Sequence, residues 1–278
     1  MDKITESKIC VEYKFGMMTP LSEKYEVSRA AIYRALKRNA IPTTKKTHIY
    51  KEDVFDLIDT ELKAYVLGLI TSDGYIANKN GRYVVQLSST DKEIPSFFAQ
   101  LIEYPRPLYH IKSEDVAKRT LDEWRIMVCS KRLVLALEKL GVVNGKSMKE
   151  VFCSSVPDNL IRHYIRGIFD GDGHLTVAKG YKDKFQGQIG VCGSLEMLTA
   201  ISKKISQNLG ARYREPRSTN KSNDLYGLAY FGNLIAKSVT TWLYSDCNYA
   251  MSRKLAKAQE IMRLQATRKA SVYHQDLL

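Results

Sequence analysis

The chain has no cysteine pair in CxxC spacing, and its five cysteines (Cys10, Cys129, Cys153, Cys192, Cys247) are scattered. Its five histidines form no HxxxH and no zinc-finger pattern, which speaks against a structural zinc. Scattered thiols suit a reduced, cytoplasmic protein better than a disulfide framework. No stretch approaches 18 uninterrupted apolar residues, so no membrane span is expected. The opening text MDKITESK carries charge where a secretory signal needs an apolar run. Negative charge is also in short supply: 30 Asp+Glu stand against 43 Lys+Arg, a formal +13. Such an excess suits a polyanionic partner, because lysines and arginines on phosphates release condensed counterions. It therefore points to nucleic acid and a cytoplasmic, nucleoid-associated location. A generically basic protein has the same balance, so charge alone names no function.

What is present begins with a short basic module over residues 1–47. The text from Leu21 to Ile41 reads as two helices joined at Val27-Ser28. Leu21 and Tyr25 line the first, while Ala31, Ile32, Ala35 and Leu36 give the second its apolar stripe. Ser28 stands where an N-cap belongs. This is the outline of a helix-turn-helix, whose second helix enters the major groove. Ser28, Arg29, Tyr33, Arg34 and Arg38 are its candidate DNA contacts, with Lys37 beside them. The polar run Pro42–Thr47 reads as a linker.

The rest of the chain contains an internal repeat. Around Asp73 an apolar helix (63–72) leads into Asp-Gly and then a strand pair (75–77 and 82–88) turned at Asn80-Gly81. A helix (94–103), strands (108–111 and 123–129) and a helix (131–140) follow. Around Asp172 the order returns: helix 160–171, strands 174–179 and 186–192, helix 195–209, strands 211–215 and 225–231, helix 233–244. Both units read α-β-β-α-β-β-α, with their aspartates 99 residues apart. The expected class is α+β: two pseudo-symmetric repeats (60–155 and 156–278) with antiparallel sheets, plus a small all-α N-terminal domain. In the strands Tyr83, Val85 and Leu87 fall on one face and Arg82, Gln86 and Ser88 on the other. Ile189 and Val191 likewise alternate with Gln186 and Gln188. A polar sheet face of this kind suits groove reading and equally suits plain solvation.

Residues 66–74 read VLGLITSDG and residues 165–173 read IRGIFDGDG. Gly68 and Ser72 are i, i+4, as are Gly167 and Gly171, so each helix carries a small-residue stripe that lets backbones approach. Gly74 and Gly173 permit a sharp exit into the next strand. The two aspartates then arrive side by side at helix C-termini, where dipole and neighbour both oppose a carboxylate. A hard cation such as Mg²⁺ relieves both. Each Asp-Gly alone is ordinary turn chemistry; the matched pair is not.

Both nonapeptides resemble the LAGLIDADG signature, and the resemblance to the single-chain, two-motif homing endonucleases of that family extends over nearly all of residues 60–260. It includes the run 243–254, LYSDCNYAMSRK. The resemblance implies a saddle formed by two sheets, a monomeric pseudo-dimer and a long specific target in double-stranded DNA. It implies phosphodiester hydrolysis with Mg²⁺ or Mn²⁺ held by Asp73 and Asp172. It also implies one basic residue per site; Lys146 and Lys254 stand in like positions, assigned to water polarisation or transition-state charge. The first motif departs from the pattern with Thr71 and Ser72, and Ser89 and Gly193 stand where relatives often have glutamine. The alternatives are a non-catalytic DNA-binding regulator on the same scaffold and an intron RNA maturase.

Overall fold

The computed structural model describes residues 2–14, 17–41, 43, 50–115, 120–142, 145, 150–179, 185–219 and 224–265. The chain divides into two compact units, Met1–Ile49 and Tyr50–Leu278.

Among the described residues, the first unit holds three helices: α1 (Lys3–Glu12), α2 (Met18–Lys24) and α3 (Arg29–Arg38). The pattern of the sequence leads to only the last two. Helix α1 has no apolar stripe to announce it, since Ile4 and Val11 are exposed and only Ile9 is buried. Its start is fixed instead by Asp2, whose Oδ1 accepts from Ile4 N and Thr5 N, each at 2.9 Å. Ile9, Leu21, Ile32 and Leu36 close the small core. Ser28 caps α3 by accepting from Ala31 N at 3.2 Å. Most of the expected linker (Pro42 and residues 44–47) lies outside the described residues.

The second unit runs α4 (Glu61–Asp73), β1 (Tyr75–Lys79), β2 (Arg82–Ser89), α5 (Glu93–Leu101), β3 (Tyr109–Ile111), β4 (Glu123–Val128) and α6 (Lys131–Lys139). The order then repeats as α7 (Ile161–Asp172), β5 (Gly173–Lys179), β6 (Phe185–Gly193), α8 (Leu195–Leu209), β7 (Arg217–Ser218), β8 (Tyr226–Phe231) and α9 (Ile235–Tyr244). Helix α10 (Ser252–Arg263) follows. Each half builds an antiparallel four-stranded sheet, in order β1-β2-β4-β3 and β5-β6-β8-β7. Asn80 and Gly81 both take positive φ, 53° and 74°, the two-residue turn that matches strand twist. One expectation is corrected. Residues 211–215 form no strand; the edge strand is the two-residue β7, which pairs with Gly227 and Tyr226. The run 243–254 delivers the chain into α10, a helix the repeat pattern did not include.

Helix α4 is buried from Ala64 through Thr71 on every side, as a helix with no amphipathic stripe must be. It packs against α7, and the inner faces of both sheets close over the pair through Val85, Leu87, Ile189 and Val191. The outer sheet face is less uniform than the alternation implies. Val84, directly opposite Ala77, is also buried.

Candidate active site

The two motif helices meet backbone to backbone. A Cβ on Gly68 would lie 2.2 Å from Tyr164 O and 2.9 Å from Gly167 Cα. The mirror contact is the same: a Cβ on Gly167 would lie 2.2 Å from Tyr65 O and 2.9 Å from Gly68 Cα. No side chain larger than hydrogen fits at either position. One turn on, a Cβ on Gly171 would collide with Ser72 Oγ at 2.0 Å and sit 2.9 Å from Asp73 Oδ2. The carboxylate of Asp73 therefore lies against the residue that precedes Asp172. Both aspartates are the last residues of their helices and both are exposed.

The glycine after each aspartate serves space rather than handedness. Gly74 (φ −72°) and Gly173 (φ −96°) are extended, not left-handed. Their Cβ positions lie 2.5 Å from Ile70 O and Phe169 O, so a side chain would strike the preceding turn. The expected sharp exit is present, and its physical reason is that clash.

Beneath the Asp172 end lies a set of buried polar groups that the motif spacing does not reveal. Asp170 is fully buried and accepts from Tyr65 Oη at 2.6 Å, Tyr244 Oη at 2.7 Å and Met251 N at 2.8 Å. Burial pushes its carboxyl up, and these donors pull it partly back. Both tyrosines are raised, first by burial and then by the Asp170 charge. Arg166, also fully buried, donates to Tyr249 O, Leu243 O and Glu61 Oε1 at 2.8, 2.9 and 2.7 Å. Lys254 is 5% exposed, with its ammonium among the carbonyls of Phe169, Asp170, Gly171 and Gly173. Burial lowers it to about 8, against the pull of Asp170 and of the two motif aspartates. Lys146 lies outside the described residues.

The candidate DNA contacts fall in two places. On α3, Arg29, Tyr33 and Arg34 are exposed, whereas the Ser28 hydroxyl is committed to its cap. Arg38 binds Glu6 through two nitrogens, at 3.2 and 2.6 Å. On the sheets, Arg82 is exposed at the start of β2. Gln86 and Ser88 share its face, opposite Met127 and Arg125. Gln186 is exposed on β6, and Gln188 is half-buried with its amide 2.7 Å from His174 Nε2. His174 is the second residue of β5, a strand-start position.

Among the described residues no group of three His, Cys, Asp or Glu side chains converges. Asp73 and Asp172 are exposed carboxylates, the oxygen donors that suit a hard divalent cation. No helix of the described chain is long and apolar enough to cross a membrane.

Residues 60–141 match the model of the LAGLIDADG-like domain. An uncharacterised protein of Methanocaldococcus jannaschii is 22% identical over 189 residues, 66% of this chain and 68% of its own length. An A-type ATP synthase protein of Methanopyrus kandleri is 30% identical over 115 residues, 41% of this chain and 10% of that protein. This chain thus spans about a tenth of that relative. Among solved structures, the LAGLIDADG homing endonuclease I-GzeII in complex with its DNA target is similar at 11% identity, covering 72% of this chain and 88% of that one, with a TM-score of 0.49. I-DmoI in complex with DNA and Mn is similar at 21% identity, covering 67% and 98%, with a TM-score of 0.42. The stretch 60–141 begins at the N-cap of α4 and ends just past α6, so the match to the LAGLIDADG-like domain covers the whole of the first repeat.

Proposed function

We propose that this protein is a site-specific double-strand DNA endonuclease, hydrolysing phosphodiester bonds with divalent metal held by Asp73 and Asp172. The observation that supports the reading is at Gly171, where a Cβ would lie 2.9 Å from Asp73 Oδ2: the Asp73 carboxylate sits beside the residue that precedes Asp172. Two carboxylates at adjacent helix C-termini repel each other and the helix dipoles, an opposition that a bound cation would relieve. The arrangement makes sense as a site kept for chemistry.

Asp73 and Asp172 are the groups that would hold Mg²⁺ or Mn²⁺. The metal would supply a Lewis acid, lowering the cost of forming the attacking nucleophile and of the charge that develops on phosphate. The chain's own contribution is rigidity. The Gly68–Gly167 contact fixes the separation of the helices, and the clashes at Gly74 and Gly173 fix how each helix ends. The exposed positions of both carboxylates leave them open to a duplex lying along the polar sheet faces. Arg82, Gln86, Ser88, Gln186 and Gln188 stand on those faces as candidates for base-edge and phosphate contacts.

The N-terminal unit adds a second contact region in this reading. Arg29, Tyr33 and Arg34 are its DNA-facing residues. Ser28 also caps α3 and Arg38 also pairs with Glu6, so in this reading they meet DNA with the donors those contacts leave over.

The experiment is cleavage of a randomised plasmid library with Mg²⁺ by the wild-type chain, Asp73→Asn and Asp172→Asn. Cutting by wild type alone supports the assignment. A second reading, a DNA-binding regulator that has lost cleavage, draws on the compact basic three-helix unit. It prevails if all three proteins bind DNA and none cuts.

A further inference from the structure

The turn between α9 and α10 is gripped from both repeats. From the first repeat, Glu61 accepts from Asn248 N at 2.9 Å and from its side-chain amide at 2.8 Å. Glu93, the first residue of α5, accepts from the N–H and the hydroxyl of Ser252, each at 2.6 Å. From the second repeat, Asp170 accepts from Met251 N, and Arg166 donates to Tyr249 O. This grip turns Lys254, in the first turn of α10, into the protein. Its Nζ lies 2.7 Å from Phe169 O, 2.7 Å from Asp170 O and 2.8 Å from Gly173 O, with Gly171 O at 3.3 Å.

We propose that Lys254 is a positioning residue for Asp172, acting through the end of α7, and that it does not itself touch the attacking water or the scissile phosphate. This rests on the nuclease reading. An ammonium has three N–H donors, and three short carbonyl contacts use them all. To meet a phosphate, the group would have to leave a nearly closed cage and orphan several carbonyls. In the cage it does what a cation does best at a helix C-terminus, offsetting the negative end of the dipole. The carbonyls it binds bracket Asp172 on both sides, so it fixes the direction in which that carboxylate leaves the helix. Because Glu93 holds the start of α10, the first repeat helps to set the Asp172 half by a route outside the α4–α7 seam.

The test uses the full chain as wild type, Lys254→Met, Lys254→Gln and Glu93→Ala. Amide hydrogen exchange at Gly171–Gly173 is measured without DNA. Dissociation constants and single-turnover rates with Mg²⁺ are measured on a duplex recovered from the cleavage selection. Lys254→Met is expected to speed exchange there by about tenfold or more, with Lys254→Gln intermediate and Glu93→Ala smaller in the same direction. The cleavage rate at saturating DNA should fall by about tenfold or more while DNA affinity changes by less than about threefold. Lost cleavage with unchanged exchange overturns the proposal and makes Lys254 a catalytic residue. Unchanged exchange and cleavage overturn it as well. So does a loss of DNA binding as large as the loss of cleavage, because the damage is then not confined to Asp172. If Lys254→Met fails to fold, Lys254→Gln and Glu93→Ala carry the same readouts. If wild type cuts no duplex, the nuclease reading fails, while the exchange measurement still decides whether Lys254 holds the end of α7.

Discussion

Where α4 carries Ala64, Leu67 and Thr71, α7 carries His163, Arg166 and Asp170, each 99 residues further on. All six are buried. In α4 the stripe meets apolar core, apart from the Thr71 hydroxyl, which donates to Leu67 O at 2.8 Å and lies 3.4 Å from Tyr164 Oη. In α7 it meets Glu61, the α9–α10 turn and three donors to Asp170. The tyrosines keep the symmetry: Tyr65 reaches across to Asp170, and Tyr164 reaches across to Thr71. The copies thus share the geometry of their contact and their terminal aspartates, and differ in what supports them from behind. The same backbone frame tolerates both solutions, because shape at the seam is set by glycine and not by the polar stripe. What the difference teaches is that the Asp172 half depends on charge, and the Asp73 half on packing.

The largest effects come where the halves are alike. Asp73→Asn and Asp172→Asn are each expected to lower double-strand cleavage by about a hundredfold or more while DNA binding persists, measured by plasmid linearisation. Normal cutting by either would break the pairing of the two halves into one site. Next comes the charged stripe. Arg166→Leu, which installs the α4 residue, strips half-buried Glu61 of its guanidinium, leaving it the Asn248 donors and nearby His163, and orphans the Leu243 and Tyr249 carbonyls. It should cost about 4 kcal/mol in denaturant unfolding. A loss below about 1 kcal/mol would show that α7 can run on packing as α4 does.

Protonation gives a third contrast. His163 is lowered to about 4, chiefly by burial and then by the Arg166 charge, with Glu61 opposing. Its neutral form is the one that folds. Its contribution is full above the unfolded value near 6.5 and is lost as pH falls through about 4. Between those limits it amounts to about 3 kcal/mol. His163→Ala, again the α4 residue, should flatten that part of the acid limb in pH-dependent unfolding. An unchanged limb would mean that His163 does not titrate with folding.

Much of this was legible in the sequence, for identifiable reasons. Period-2 strands, the Asn80-Gly81 turn and the repeated order α-β-β-α-β-β-α are local patterns, and their boundaries fell within a few residues. Two aspartates at a constant offset, each behind a small-residue stripe, mark a candidate site by spacing alone. The failures have equally local causes. Helix α1 lacks a stripe, and α10 begins in a turn shaped by acids 159 and 187 residues away, Glu93 and Glu61. No short-range rule sees such partners. Arg166 and Asp170 did leave a trace. A charge inside a helix that must be buried needs a partner, and Arg166 sits in the middle of its motif. Aligning the copies residue by residue, rather than motif by motif, would have exposed the stripe.

The smallest expected effect concerns the seam itself. Gly68 and Gly167 have mirrored surroundings, with the nearest backbone atoms at 2.2, 2.9 and 3.0 Å in both cases. An added methyl must push the helices apart, since the obstacle is main chain and not a side chain that can turn away. Gly68→Ala and Gly167→Ala should each therefore destabilise by about 2–3 kcal/mol, in denaturant unfolding, and by the same amount within about 0.5 kcal/mol. Equality is the informative part. The polar stripe of α7 touches α4 through Asp170 on Tyr65 and Arg166 on Glu61, so equal penalties would show that it neither softens nor stiffens the seam. A clearly larger penalty at Gly167 would mean that the charged contacts resist the shift which the packed half allows, and that the two halves are mechanically coupled at their point of closest approach.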